Sequence, residues 1–338
     1  MSTDAACGCR SAEFRFVEAE VVNEISQSPR LAFVFPGQGS QSVGMLSELA
    51  DAHAEVRACF DEASQGAGRD LWELSRDGPE EALNRTENTQ PALLAASAAV
   101  WRVWIKLGGT QPAQMSGHSL GEYSALVCAG ALSLHDAAAL VAERGRLMQE
   151  AVPTGVGAMA AILGGDDAQI AAACDEVSGE EVVAPANYNS PGQVVIAGHA
   201  VAVDRAIARL AELGVRKAVR LDVSVPSHTV LMREAADRLG ERMAQLQWNM
   251  PTIPVVQNAD AMAHSGVEFI RAALERQLYM PVRWTECVQR LVVGGATRIF
   301  ECGPGKVLTG LIKRIDKSIE TCPLGVPAEM GAASKEFA

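Results

Sequence analysis

The stretch Ser116-Gly117-His118-Ser119-Leu120-Gly121 sets a serine between two glycines, where one apolar run ends and another begins. The G-x-S-x-G spacing places that serine on a tight strand-to-helix turn that bulkier neighbours would obstruct. Such a turn lifts the hydroxyl clear of a sheet. The helix that follows, expected over Gly121 to Leu132, aims backbone N–H groups at any negative charge developing beside it. Acyl transfer through a serine ester needs this arrangement.

A serine hydroxyl is a weak nucleophile until a base takes its proton, and imidazole suits neutral pH. The chain has six histidines. His53 and His135 fall within helical patterns and read as surface residues, while His199 and His264 fall at turn-like places. His118 precedes the serine, so its side chain is expected to shape the pocket wall. His228 follows Val225-Pro226-Ser227 at the expected start of a helix, and its position fits a residue facing a cleft. Spacing alone leaves the choice of base open. An oxyanion hole is the second requirement. One donor is expected from the backbone N–H of Leu120, next after the nucleophile. Pro36-Gly37-Gln38-Gly39-Ser40-Gln41 follows the first strand and reads either as an ordinary turn or as a loop that brings Gln38 to the acyl oxygen. Arg144 reads either as an exposed helical arginine or as a bidentate clamp for a substrate carboxylate, and spacing does not choose between them.

The elements that must position these residues follow from the apolar rhythm. Leu31 to Phe35 reads as a buried strand, followed by a long helix over about Gly44 to Gln65 and another over Gln90 to Leu107. Ser133 is placed to cap a helix reaching Glu150. Strands alternating with helices indicate a mainly parallel α/β sheet. The middle of the chain changes rhythm. Strands at Ala158–Leu163, Val182–Ala186, Gln193–Ala197 and Lys217–Val223, with helices at Asp167–Val177 and Ala200–Leu213, give the β-α-β-β-α-β order of a ferredoxin-like unit. The segment 187–192 is expected as the loop joining its two middle strands. Further on, Ile253–Val256 and Arg298–Cys302 read as strands, Phe269–Tyr279 and Thr285–Val293 as helices, and Gly303-Pro304-Gly305 opens a last helix to Ile315. The fold class expected is therefore α/β: a hydrolase-like large subdomain with a mainly parallel sheet (30–154 and 225–328) and an inserted ferredoxin-like small subdomain (155–224). Residues 1–29 are expected as a mobile N-terminal extension and 329–338 as a C-terminal tail.

Composition narrows the function further. The chain has 338 residues, is 48% hydrophobic, and carries a formal charge of −12, which argues against a general nucleic-acid binder. Six of the eight cysteines are scattered, mostly in apolar stretches, and read as small buried hydrophobes of a reducing compartment. Cys7 and Cys9 have no second Cys or His pair nearby, so no metal site is expected. The acidic start lacks an apolar signal core, and no apolar span is long enough to cross a bilayer. A cytoplasmic protein without membrane attachment is the expectation.

Taken in order, Pro36-Gly37-Gln38-Gly39-Ser40-Gln41, Gly117-His118-Ser119-Leu120-Gly121-Glu122-Tyr123, Asn189-Ser190-Pro191-Gly192-Gln193-Val194, Val225-Pro226-Ser227-His228 and Gly303-Pro304-Gly305-Lys306 resemble the bacterial malonyl-CoA:acyl carrier protein transacylases of type II fatty-acid synthesis. The resemblance spans residues 30 to 328. It implies Ser119 as nucleophile, His228 as base, and Gln38 with the Leu120 N–H as the oxyanion hole. It further implies Arg144 as partner of the malonyl carboxylate, and Gln277 as the residue whose backbone carbonyl orients the histidine. Asn187 and Asn189, with His118, fall where such enzymes line the cleft. The implied partners are malonyl-CoA and acyl carrier protein, with no cofactor and a monomeric state. Because the carrier is expected to be acidic, Arg216, Lys217 and Arg220, or Lys313, Arg314 and Lys317, are candidate docking cations. A polyketide-type acyltransferase using another extender unit and a serine thioesterase or hydrolase are the alternatives.

Overall fold

The computed structural model describes Met1 and residues 30–337, except 154, 216 and 224. Its strands are β1 (Arg30–Phe35), β2 (Gln114–Gly117), β3 (Gly157–Leu163), β4 (Val183–Ser190), β5 (Gln193–His199), β6 (Lys217–Arg220), β7 (Val255–Gln257), β8 (Met262–Ala263), β9 (Ala296–Glu301) and β10 (Glu320–Pro323). Six form one sheet in the order β10-β9-β1-β2-β7-β8. All its pairings are parallel except the last, in which the short β8 runs antiparallel to β7 at the edge. Buried parallel strands read as continuous apolar runs, which is why Leu31 to Phe35 was legible as a strand. Helices cover both faces. On one side Phe33 and Phe35 join the helices Ala54–Ala67, Thr86–Lys106 and Leu134–Ala151 in the largest core. On the other, Ala32 and Val34 pack against Trp284, Val288 and Ile312.

The second sheet is antiparallel, in the order β4-β5-β3-β6, with the helices Asp167–Val177 and Ala200–Glu212 on one face. Numbered within the unit, this is the strand order of a ferredoxin-like fold, as the element sequence implied. Its other face carries a small apolar cluster of Met159, Ala186, Val195 and Ala197, with Val223 packed against it. Backbone hydrogen bonds join the two sheets' segments. Tyr188 N–H donates to Val282 O (2.9 Å), and Val282 N–H donates to Ala186 O (2.9 Å).

The structure corrects several sequence expectations. The helix expected over 44–65 is two, Ser47–Ala52 and Ala54–Ala67, broken at an extended His53. The helix after the serine ends at Cys128, because Gly130 turns the chain with φ 77°. The presumed loop 187–192 is mostly strand: β4 runs on to Ser190, and β-bulges near Ala186 and Asn189 re-aim its side chains. The helix expected from His228 begins at Arg233, after a short 3₁₀ turn over Val230–Met232. The chain does not finish its helices at Ile315. A further helix, Pro327–Glu336, buries Met330 and Ala333, so residues expected as a tail are packed secondary structure. The proposed extension 1–29 lies, Met1 apart, outside the described residues. Cys59, Cys174, Cys287 and Cys302 are buried and none of the described cysteines is disulfide-bonded. Among the described residues no helix is long and apolar enough to cross a membrane.

Candidate active site

Four parallel strands end at one edge of the large sheet, and the next residue or loop after each reaches the same place. Pro36-Gly37-Gln38 follows β1, His118-Ser119 follows β2, Asn258 follows β7, and Cys302-Gly303-Pro304 follows β9. This is the carboxyl edge, where ligands of open α/β sheets bind. Ser119 sits there with φ 50°, in the left-handed region where a non-glycine residue is strained. The glycines beside it are required by close approach. A Cβ on Gly117 would lie 1.9 Å from the carbonyl carbon of Gly121, and one on Gly121 would lie 2.0 Å from Phe35 O. The strand, the helix and β1 meet only because both side chains are absent. The turn is closed by Gly121 N–H to His118 O (2.9 Å) and by His118 N–H to Phe35 O (3.0 Å).

Ser119 Oγ lies 2.9 Å from His228 Nε2. On the far side of the ring, His228 Nδ1 lies 2.6 Å from the backbone carbonyl of Gln277. A carbonyl can only accept, so Nδ1 carries the proton and Nε2 is left with a lone pair for the serine hydroxyl. His228 is itself held with φ 63° and donates its backbone N–H to Leu278 O (2.9 Å). His228 is thus held by this helix, Val267–Tyr279, once through its ring and once through its backbone.

Arg144 comes from the helix Leu134–Ala151 and is 1% exposed, so it is not a surface arginine. Its Nη1 donates to Gln90 Oε1 (2.7 Å), and its Nη2 reaches both Gln277 Oε1 and Ser119 Oγ (3.2 Å each). Every one of these acceptors is neutral, and Nε has no partner among the described residues. The guanidinium also lies over the ring of Tyr123, 5.5 Å from its centroid. A buried cation with neutral neighbours and a spare donor, beside a nucleophile, is a receptor for an anion.

These residues line one cleft of about 240 Å³, a size suited to a small acyl group. Gln38, His118, Leu120, Asn187 and Asn189 are in its wall with Ser119, Arg144 and His228. Met159, Val195, Leu221 and Val223 close it from the small subdomain, and Val307, Leu308 and Leu311 from the helix Val307–Ile315. His118 Nε2 meets Asn189 Oδ1 at 2.8 Å, tying the elbow to β4. The Leu120 N–H makes no hydrogen bond among the described residues, which leaves it available to a developing oxyanion. Of the six histidines only His118 and His228 line this cleft. His199 Nδ1 instead accepts the Val182 N–H, and His264 contacts Asp260.

Sequence reasoning missed a layer beneath these groups. Asn258 Oδ1 accepts the Ser119 N–H (2.8 Å), and its Nδ2 donates to Gly117 O (2.7 Å), clasping the elbow from both sides. Gln277 Nε2 donates to Ser119 O (2.9 Å). Glu122, wholly buried in the first turn of the elbow helix, accepts from Gln257 Nε2, Asn258 N–H and Gln277 Nε2. Two signals were available. Asn258 directly follows a strand at the site edge, and Glu122 is the one charged residue of the helix after the serine, where a buried polar group must find a partner.

Burial lowers the His228 pKa to about 3, and the Arg144 charge adds to the effect, while the Gln277 carbonyl opposes it. The imidazole is therefore a neutral base at rest. The rate of Ser119 acylation should stay flat from about pH 8 down to about pH 5, measured by rapid quench; an acid limb near the ordinary histidine value would contradict a buried neutral base. Stability has a definite sign too. The folded pKa is depressed, so this contribution is complete above 6.5, the ordinary value, and is lost as pH falls from there toward 3. Between pH 6.5 and about 5 the parent should lose about 2 kcal/mol more than a His228→Asn variant in denaturant titrations.

The fold and this site together define an acyltransferase, and the family model described as "Acyl transferase domain" matches residues 32–324. The chain is 55% identical over 304 residues to the malonyl CoA-acyl carrier protein transacylase of Escherichia coli strain K12, covering 90% of this chain and 98% of that one. It is 51% identical over 307 residues to the Haemophilus influenzae protein of the same name, at 90% and 98% coverage. Among solved structures, the malonyl-CoA:acyl carrier protein transacylase of Xanthomonas oryzae superposes with a TM-score of 0.91 at 64% identity, covering 92% of this chain and 99% of that chain. A malonyl-transacylase solved in complex with its type II PKS acyl-carrier protein gives 0.89 at 51% identity, with 91% and 99% covered. The chain belongs to the malonyl-CoA:acyl carrier protein transacylase family.

Proposed function

We propose that this protein moves a malonyl group from malonyl-CoA to the phosphopantetheine thiol of acyl carrier protein through a malonyl ester on Ser119, supplying chain elongation. The observation that carries the reading is the buried Arg144 guanidinium, with only neutral partners, 3.2 Å from the Ser119 hydroxyl. A short acyl group carried on Ser119 and ending in a carboxylate can take over the guanidinium donor that now reaches the hydroxyl. In the first half-reaction Ser119 Oγ attacks the thioester carbonyl and His228 Nε2 takes its proton. The oxyanion is received by the Leu120 N–H and by Gln38. The tetrahedral intermediate expels CoA thiolate, which leaves with the proton from His228. In the second half-reaction His228 takes the proton of the carrier thiol, the thiolate attacks the ester carbonyl, and the tetrahedral intermediate expels Ser119 Oγ, which regains its proton from His228.

The Gln277 carbonyl stands where serine hydrolases of the triad type place a carboxylate. A neutral orienting group suffices because a thioester is more reactive than an amide. The chemistry assigned here calls for no metal or redox cofactor. Asn187, Asn189 and His118 are assigned to the walls that hold the acyl group and its thiol arm. The exposed Lys313 and Arg314 lie on the helix whose Val307, Leu308 and Leu311 line the cleft, and we place the acidic carrier there, with Lys317. Arg220 is engaged by Asp204 (2.7 Å), which leaves that alternative patch weaker, and Arg216 lies outside the described residues. We assign the working state as a cytoplasmic monomer, since one chain supplies every group named.

Intact-protein mass spectrometry tests the reading. Mixing with malonyl-CoA should add one malonyl unit that persists, and later addition of holo acyl carrier protein should remove it and appear on the carrier. Rapid loss of the adduct to water would favour a hydrolase. No adduct at all would refute the reading.

A further inference from the structure

Glu122 is a second fully buried charge in the site, and the transfer steps above do not use it. Its hydrogen-bond neighbours are all donors. Oε1 receives Gln257 Nε2 at 2.8 Å, and Oε2 receives the Asn258 N–H at 2.7 Å and Gln277 Nε2 at 3.0 Å. A proton on this carboxyl would find an acceptor here only if the Gln257 amide turned over and gave up its bond to Ile270 O, so the donor set favours the carboxylate. Two of these three donors lead on to a working group. Asn258 holds the Ser119 and Gly117 backbone, and Gln277 offers its carbonyl to His228. The Gln277 amide also bridges the two buried charges. Its Nε2 donates to Glu122, and its Oε1 accepts from Arg144 Nη2 at 3.2 Å.

We propose that Glu122 is an ionised positioning residue: it holds the serine elbow and the histidine-orienting segment in one frame, and it supplies the negative charge that balances Arg144 until a substrate carboxylate arrives. The geometry explains why a buried guanidinium can wait with neutral hydrogen-bond partners. It also explains why a glutamate opens an otherwise apolar helix at a helix N-terminus, where its charge is favoured. Burial opposes this ionisation and is the larger influence, raising the carboxyl to about 7 although the three donors favour the charged form, so the acylation assays belong at about pH 8. The inference rests on the malonyl-transfer reading, because it assigns Glu122 a share in how Arg144 receives a carboxylate.

The test is single-turnover acylation of Ser119 by malonyl-CoA and, in parallel, by acetyl-CoA, in the parent and in the Glu122→Gln and Glu122→Asp variants. Glu122→Gln keeps the shape but turns an acceptor into a donor facing donors. Its maximal acylation rate should fall by about 10²-fold with both acyl groups, the cost of a misplaced nucleophile and base. Its half-saturating malonyl-CoA concentration should fall by about threefold or more, because Arg144 now lacks its internal counter-charge. Half-saturation by acetyl-CoA should not move. Glu122→Asp, which keeps the charge, should retain the parent half-saturation for malonyl-CoA. An unchanged maximal rate in Glu122→Gln, or the same shift in half-saturation for both acyl groups, overturns the proposal. If Glu122→Gln does not accumulate as folded protein, the double variant Glu122→Gln/Arg144→Met decides. It should fold and melt closer to the parent, since neither buried charge remains, and a double variant as unstable as the single one overturns the assignment. A parent enzyme that takes no malonyl group would refute the functional reading instead.

Discussion

Ser119→Ala enzyme should carry no malonyl group at any malonyl-CoA concentration, and transfer to acyl carrier protein should fall to the uncatalysed rate. The expectation follows from a covalent route. With the hydroxyl gone, His228 still has a lone pair and the Leu120 N–H is still free, but no atom can hold the acyl group between two thiols. The loss should therefore far exceed the removal of a base alone, which costs about 10²–10⁴-fold. His228→Ala provides the comparison: it should load slowly but to completion, because Ser119 stays on the elbow and a thioester is reactive. Mass spectrometry over time separates the two outcomes. Full loading of Ser119→Ala would mean that another residue is the nucleophile. The variant should fold normally, since the elbow is fixed by Gly117, Gly121 and the Asn258 clasp rather than by the hydroxyl.

How much of this was legible in the chain depends on how local each determinant is. The elbow was legible because its constraint is local: two glycines must flank a serine where a Cβ on either would lie within 2.0 Å of neighbouring backbone. The ferredoxin-like unit was legible because its six elements are short and regularly spaced. By contrast, β4 was cut short because Asn187, Asn189 and Ser190 have loop-forming composition, and only pairing with β5 and the contact with Val282 hold them extended. The helix break at His53 and the late helix Pro327–Glu336 escaped for a similar reason, since neither carries a proline or glycine that forces it apart from Pro327 at the helix start. Arg144 shows the limit most clearly. Helical spacing said only that it lay on one face of a helix. That this face is buried against Tyr123, Gln90 and Gln277 is set by helix packing, to which residues 21, 54 and 133 positions away in the chain contribute. The support layer of Glu122, Gln257 and Asn258 is of the same kind. Its donors and acceptors come from separate segments, and nothing in either segment alone demands the other.

Arg144→Ala should abolish the preference for malonyl over acetyl groups. In the parent the malonyl carboxylate replaces water with a guanidinium whose Nε is unpartnered and whose other donors face only neutral acceptors. Removing one member of a buried, hydrogen-bonded ion pair costs about 3–5 kcal/mol. In kcat/KM for malonyl-CoA that is a fall of about 10²–10⁴-fold. Acetyl-CoA makes no use of the guanidinium and must share the cleft with an unsatisfied cation, so its kcat/KM should hold or rise. The two substrates therefore respond in different directions and their kcat/KM values converge, which a general loss of packing would not produce. Arg144→Lys sharpens the test. It keeps the charge but gives up the planar two-nitrogen fork and the contact with the Tyr123 ring, so it should recover only part of the malonyl preference. Should Arg144→Ala keep the parent ratio of malonyl to acetyl transfer, the carboxylate is held elsewhere in the cleft, and the spare donors on this guanidinium would need another ligand.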